Sequence, residues 1–565
     1  MPSGHRMQGL SPLIIIRSLC ARCPFYNFKV VSAKHRIARA AGVMSIATLI
    51  SRVLGFVRDM VLAFYMGATG LSDAFYVSFR IPNLLREIFA EGTMSSAFIP
   101  VLSEHQWKEG DEGARSLVRA VFTFILIVVG GLCLLGIFLA PYIVRVIAPG
   151  FLAHPEKFRL TVLLTRIMFP FLLFISLGAL SMGALNVKNI FFLPALSSAV
   201  LNVAMIVTVV SLSMAFGNPV VAAAIGITVG GITQFVYQLP ALKKAGYGLK
   251  TIRGFWGHPG LKEMGVLVLP AILAMSVSPL NIVISNILAS FLPAGSITYL
   301  FYGMRLMHFP VGVFGAAMGI AVLPALSEHA VKGDFESLRN DFSFALRTLF
   351  FISLPAMAGL IALRVPIVST LFFRGRFTYT AVEGTAGALL FFSLGIWAMV
   401  GSRVLTATFY SMKDTRRPVM SAVLALGINL ILSVILMRPM KHEGLALANA
   451  LAAMVNFGTL SFMLRKKLGR VDARRILISF MKSVFAAAAM GAAAALLLHG
   501  MLWQQRGHTP LKALWLASGI LLSLGVYVFL SYLLKNEELN VMAGLFGRRF
   551  FAKKSDALSK KSDAL

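Results

Sequence analysis

Three ionisable residues interrupt the apolar run that begins near residue 43: Arg52, Arg58 and Asp59, within SRVLGFVRD at 51–59. At about 100° per residue, Arg52 and Asp59 fall about 20° apart on a helix, as do Ser51 and Arg58. Thr48 and Gly55 lie between those pairs. The polar residues therefore share one arc of about 120°, and the apolar side chains occupy the rest. The next run repeats the arrangement with Asp73, Arg80, Asn83, Arg86, Glu87 and Glu91. These lie on an arc of about 140°, which Pro82 bends.

A charge at the centre of a lipid-facing helix costs about 2.5–3.5 kcal/mol on insertion scales, so three in one run would cost about 9 kcal/mol. The arcs must instead face a cavity or a partner helix. Pairing of Arg52 with Asp59, and of Arg80 with Asp73 or Glu87, is one way to hold them. The charge balance argues against complete neutralisation. Basic residues inside the apolar runs are Arg52, Arg58, Arg80, Arg86, Arg166, Arg305, Arg403 and Lys482. The acids are Asp59, Asp73, Glu87 and Glu91, all in the first half. Surplus guanidinium suits a multiply charged anion, because the planar fork grips phosphate through two parallel hydrogen bonds. The chemistry on offer is binding rather than catalysis. HExxH, a phosphate-binding glycine loop and carboxylates clustered at a span end are all missing, so neither an enzyme nor a cofactor is expected.

The elements that position these residues follow from composition. Of 565 residues 58% are hydrophobic and 13% charged, with a mean hydropathy of +0.81. Runs of about 20 apolar residues recur down the chain, and in lipid such runs must be helices. Spans are read near 43–66, 72–101, 118–140, 160–185, 191–213, 220–241, 264–291, 297–326, 345–363, 384–410, 418–437, 444–464, 476–499 and 513–534. The expectation is an all-α polytopic membrane protein with about fourteen transmembrane helices.

The net charge of +31 would suggest nucleic acid in a soluble chain. Topology accounts for it better. Counting segments alternately from the inside places 35 Lys and Arg in the cytoplasmic segments and 10 in the outer loops, which puts both termini in the cytoplasm. No separate domain presents these charges to nucleic acid. Cys20, Cys23 and Cys133 give no disulfide framework, and the lone CxxC lacks a second ligand pair for a metal. Residues 1–42 are basic, lack a signal-peptide core and read as a poorly ordered extension. KKSDAL occurs at 553–558 and again at 560–565, as a solvated tail.

The chain also repeats itself. AFIPVLSEH at 97–105 matches AVLPALSEH at 321–329, an offset of 224. Pro141 and Pro366, Lys188 and Lys413, Pro194 and Pro418, and Asn202 and Asn429 follow in order at nearly that offset. Upstream, Phe75-Tyr76 before Arg80 resembles Phe301-Tyr302 before Arg305. Spans 1–6 and 7–12 are thus two halves. Because six is even, they are parallel repeats, the plan of transporters whose halves rock about a midplane site. The organisation expected is a basic extension (1–42), a first lobe (43–241), a cytoplasmic linker (242–263), a second lobe (264–464), two further helices (465–535) and a polar tail (536–565).

SRVLGFVRD at 51–59, SDAFYVSFRIPNLLREIFAEG at 72–92, AFIPVLSEH at 97–105 and MRLMHFP at 304–310 resemble the MurJ (MviN) lipid II flippases over roughly residues 40–535. The resemblance implies the multidrug/oligosaccharidyl-lipid/polysaccharide exporter fold in a bacterial inner membrane. It also implies export of the undecaprenyl-pyrophosphate-linked peptidoglycan precursor, lipid II, by a monomer among membrane lipids. Arg52, Arg58 and Arg305 correspond to cavity arginines critical in that family, and Arg86 and Asp73 stand at its motif positions. The last two helices correspond to its lipid-tail groove. Two departures stand out. His308 occupies a place where some relatives carry Glu, and serves either as a packing residue or as a titratable cavity group. Some relatives also bind Na⁺ through carboxylates in the second half, and no carboxylate lies in spans 7, 8, 9, 11 or 12 here. A flippase for another polyprenyl-pyrophosphate-linked oligosaccharide is the chemical alternative. A drug/cation antiporter of the same fold would want buried acids instead of arginines.

Overall fold

With no water to satisfy it, backbone in a bilayer pairs with itself inside helices or a closed barrel. The computed structural model describes residues 25–87, 97–275, 277–312, 316–469 and 472–540, and these contain helices and no strand. The first half comprises α1 (Phe25–Met66), α2 (Gly70–Arg86), α3 (Ile99–Lys108), α4 (Gly110–Phe124), α5 (Gly130–Ile147), α6 (Pro155–Met168), α7 (Pro170–Val187), α8 (Phe192–Phe216), α9 (Pro219–Val236) and α10 (Leu239–Lys244). The second comprises α11 (Pro259–Met275), α12 (Val277–Ala289), α13 (Ser296–Pro310), α14 (Ala316–Lys332), α15 (Phe335–Ala362), α16 (Arg364–Phe372), α17 (Tyr379–Ser393), α18 (Ile396–Ser411) and α19 (Arg416–Leu468). Then come α20 (Ala473–Leu497) and α21 (Thr509–Leu533).

Among the described residues eight helices are long and apolar enough to cross a membrane, or nine if the pair α17–α18, bent by 41°, is one span. α19 covers two of the expected crossings, with Lys441 in a non-helical conformation between them. The spans expected at 43–66, 72–101, 264–291 and 297–326 fall on helices that are charged, short or interrupted. Length and apolarity therefore do not establish fourteen crossings. These four are repeat equivalents of one another, first with seventh and second with eighth. Three of the four, 72–101, 264–291 and 297–326, include residues outside the described ones. Elsewhere the surface is apolar, with Phe138 and Met214 each 75% exposed, as a lipid-facing belt requires.

The extension before residue 42 is not wholly irregular, because α1 is helical from Phe25. Its 42 residues span about 63 Å at 1.5 Å each, twice a hydrocarbon core of about 30 Å, so its first part stands outside the bilayer. Starting the chain at Ala40 leaves a helix of about 40 Å, still long enough to cross. A variant beginning there, with an initiator Met, is expected to support growth of a depleted strain as well as the full chain does. Failure at normal membrane levels would show that the extension takes part in transport. Cys20, Cys23 and the KKSDAL repeats lie outside the described residues.

The last two helices pack on the second half. Phe480 of α20 meets Phe350 and Trp397 edge-on at 5.0 and 5.4 Å, and the Tyr527 hydroxyl donates to the Phe351 carbonyl at 2.7 Å. Buried Arg347 donates to Glu537 and Glu538 at 2.9 and 2.8 Å, pinning the segment after α21 to α15.

Candidate functional site

The repeat places its two-fold axis between α2 and α13. Ser72 and Thr298 are equivalents at an offset of 226, and their hydroxyls lie 2.9 Å apart. Tyr76 and Tyr302, at the same offset, share a hydrogen bond of 2.6 Å. Only residues next to such an axis can touch their own equivalents, as in any two-fold interface. The close approaches of Gly375 to the Phe64 carbonyl and of Gly150 to the Ser290 carbonyl are images of each other across it. The Arg376 N–H donates to the Phe64 carbonyl at 2.9 Å beside Gly375, and the Gly150 N–H donates to the Ser290 hydroxyl at 3.0 Å. Phe64 maps onto Ser290 and Gly150 onto Gly375 at offsets of 226 and 225. A Cβ on Gly375, whose φ is +57°, would overlap the Phe64 carbonyl, so both the turn and the close approach need glycine.

Asp73 completes this seal. Its carboxylate accepts from the Gly295 and Thr298 amides at 2.7 and 3.0 Å, the Thr298 hydroxyl at 2.8 Å and Lys157 Nζ at 3.2 Å. Asp73 is only 1% exposed. It thus caps α13 of the opposite lobe, where the helix N-terminus offers unpaired N–H groups and a favourable dipole. The expected pairing of Arg80 with Asp73 does not form, because Lys157 and the α13 amides occupy that carboxylate.

Below the seal the lobes enclose a cavity of about 560 Å³. Among the described residues its wall carries Arg58, Arg80, Arg86 and Arg305 together with His308, against a single carboxylate, Glu87. Asn83 lies in the same wall, donating to Glu87 at 2.8 Å and accepting from Arg86 at 3.1 Å. Glu91 lies outside the described residues. Arg166 and Arg403 are not part of the wall; Arg166 donates to the Ile137 carbonyl instead.

Asp59 lies just behind this wall with no exposed surface. The reading that paired it with Arg52 is corrected. Arg58 donates to Asp59 Oδ1 through Nε and Nη2 at 3.1 and 2.7 Å, while Arg305 of the other lobe donates to Oδ2 at 2.9 Å. One buried carboxylate thus holds two arginines from opposite lobes. Arg58 Nη1 also donates to Asn202 Oδ1 at 3.1 Å, and Asn202 Nδ2 donates to the Ser51 backbone carbonyl at 3.2 Å. Ser51 contributes through its backbone. Arg52 is exposed, and its guanidinium lies about one van der Waals contact from the space over Gly312. Arg52 and Arg58, on opposite edges of the polar arc, therefore point to different partners.

Sequence reasoning missed Asn202, Lys157, Thr298 and the Tyr76–Tyr302 pair as working residues. The repeat held the signal for three of them: Asn202 and Asn429 match, and Ser72 and Tyr76 match Thr298 and Tyr302. The second-lobe image of the Asn202 site is neutral. Asn429 donates to Asn281, and Ser433 donates to Asn429 at 3.3 Å, with no carboxylate among them. Na⁺ binds best to charged oxygen ligands, so replacing Na⁺ by K⁺ in a transport assay is expected to change the rate little. A strict Na⁺ requirement would contradict this.

Residues 62–513 match the family described as "Lipid II flippase MurJ". The chain belongs to the MurJ family. A "Probable lipid II flippase MurJ" of Vibrio cholerae serotype O1 is 35% identical over 520 residues, covering 89% of this chain and 97% of the relative. A "Lipid II flippase MurJ" of Burkholderia cenocepacia is 36% identical over 433 residues, covering 76% and 84%. A solved MurJ structure described as "inward closed conformation" superposes with a TM-score of 0.72 at 28% identity, covering 87% of this chain and 98% of that one. An inward-facing multidrug resistance MATE family transporter of the MOP superfamily superposes at 0.63 with 15% identity, covering 76% and 99%, which speaks to fold alone. The two-lobed arrangement is thus shared with the solved MurJ, and the fold with that MATE transporter.

Proposed function

We propose that this chain is a lipid II flippase of a bacterial inner membrane, carrying the undecaprenyl-pyrophosphate-linked precursor from the inner to the outer leaflet for peptidoglycan synthesis. The observation that carries the reading is a cavity between two repeats with four arginines and one glutamate among the described residues of its wall. Family membership supplies the substrate class, and the arginine surplus is the chemistry a pyrophosphate needs. The positive-inside bias supports cytoplasmic termini. With that orientation the contacts around Asp73, Tyr76 and Gly375 close the outer end, and the cavity opens inward.

The mechanism is alternating access by a monomer. Lipid II enters from the cytoplasmic leaflet, its pyrophosphate drawn past exposed Arg52 towards Arg58, Arg80, Arg86 and Arg305. Asp59 fixes the forks of Arg58 and Arg305 and neutralises part of their charge while the cavity is empty. Binding of pyrophosphate competes with Asp59 for these two arginines and loosens their link across the lobes. The seal then opens outward, the anion leaves, and the Asp59 bridge re-forms. The free-energy difference comes from contacts the substrate makes in one arrangement and not in the other. The prenyl tail stays in lipid beside α20 and α21.

Depletion of the protein in its native cell tests the substrate. Lipid II is expected to accumulate on the cytoplasmic face. Accumulation of another polyprenyl-pyrophosphate oligosaccharide, with lipid II still exported, would assign the site to that substrate instead.

A further inference from the structure

The sealed end carries a second cluster of cations. Lys512, near the start of α21, is 1% exposed, and its ammonium donates to Ser369 Oγ at 3.1 Å and to the Gln505 carbonyl at 2.6 Å. It also lies 5.1 Å from the centre of the Phe373 ring, and the Arg506 guanidinium lies 5.7 Å from the same ring. Arg374, on the next residue, donates to the Thr370 carbonyl at 2.8 Å and is close enough to repel Lys512. Among the described residues no carboxylate forms an ion pair with any of the three. α21 itself starts without a side-chain cap, its N-cap position being His508 with a φ of +53°. Its first amides and its positive dipole end therefore add to the same field.

Three features make this more than a chance grouping. A buried ammonium without a counter-charge is costly, and an aromatic face offsets only part of that cost. The N-terminal turn of a helix is the least favourable place on it for a cation. Outer loops are also where the positive-inside bias removes Lys and Arg, yet five of the ten outer basic residues (Arg364, Arg374, Arg376, Arg506 and Lys512) come from the two segments meeting here. Beside the cluster, Leu511, Leu514 and Trp515 are 44%, 69% and 50% exposed on α21, a tryptophan-marked apolar face at the level of a membrane surface.

We propose that Arg374 and Arg506, backed by the charge of buried Lys512 and the uncapped start of α21, bind the phosphate of an anionic outer-leaflet lipid whose tails lie along the exposed apolar face of α21. The site is separate from the substrate cavity, and it locks α16 and α21 together at the closed end. The apolar face adjoining the cations selects a lipid over a phosphate free in water.

The test is thermal unfolding of the purified full chain in maltoside detergent, titrated with short-chain phosphatidylglycerol, short-chain phosphatidylcholine or sodium phosphate. Phosphatidylglycerol is expected to raise the unfolding midpoint by several degrees. In the double variant Arg374→Gln/Arg506→Gln, which leaves buried Lys512 in place, the concentration needed should rise at least about tenfold. Phosphatidylcholine and inorganic phosphate should do little. An equal response of wild type and variant overturns the site, and a full response to sodium phosphate overturns the lipid as its occupant.

Discussion

Arg305→Ala is expected to cut transport about a hundredfold while the protein still reaches the membrane at close to wild-type levels. Two roles are open to this residue, holding Asp59 or holding substrate, and they differ in what else restores function. Arg305 is 43% exposed towards the cavity, whereas Asp59 keeps two hydrogen bonds from Arg58 after its loss, so the fold is spared. Removing a cation from a membrane helix also eases insertion. A charge-assisted hydrogen bond contributes about 1.5–3 kcal/mol, and each 1.4 kcal/mol is tenfold in rate, so a fall of about a hundredfold is expected. Arg58→Ala should behave similarly, with some loss of stability, because it leaves Asn202 and Asp59 each short of a donor. Lys at either position keeps the charge and loses the fork, and should restore transport only in part. Arg52→Ala, outside the cavity wall, is expected to weaken transport less than either. The decisive comparison is Arg305→Ala/Asp59→Asn. If Arg305 served only to neutralise Asp59, the double variant would regain activity. A flippase assay showing it as inactive as the single variant supports direct contact with substrate, and regained transport would remove Arg305 from the binding site.

Asp73→Ala should also stop transport, for a different reason. Asp73 lies on the polar arc of α2, but its carboxylate is spent on four donors, three of them at the start of α13 in the other lobe. Its loss strands buried N–H groups only when this end, the outer one in the proposed orientation, is closed, so it destabilises that state selectively. Leaving a buried partner unsatisfied costs about 1–3 kcal/mol, enough to shift the closed-to-open ratio by about one to two orders of magnitude. A cysteine at Ser296, 2% exposed here, should then react with an impermeant thiol reagent from outside much faster in Asp73→Ala than alone. Unchanged labelling would show that Asp73 does not hold the seal. Asp73→Asn keeps two acceptor positions on one oxygen and should lie between wild type and Ala on both readouts.

How much of this was legible beforehand depends on the kind of physics involved. Helical class, the apolar exterior and the polar arcs of α1 and α2 follow from hydropathy and a period of 3.6, which are local properties of the chain. The duplication was written in matching strings, and the two-lobed plan followed from it. Even the seal was there in outline, since Ser72 and Tyr76 recur as Thr298 and Tyr302. Partner choice was not. A helical wheel states which face a residue occupies and says nothing of what stands across from it. On a wheel Arg52 is the neighbour of Asp59, and Arg58, one residue away, points elsewhere. In the folded chain the long Arg58 stem wraps back onto the carboxylate, and Arg305 arrives from 246 residues away. Asp73 likewise looked like a cavity charge until the tertiary structure put the bare N-terminus of α13 against it. The cation cluster at Phe373 unites segments that are some 130 residues apart in sequence and unremarkable alone. Sequence determined which charges had to be hidden from lipid, because that cost is paid by each helix separately. Tertiary structure decided what hides them, because only packing sets the distances on which an ion pair or a helix cap depends.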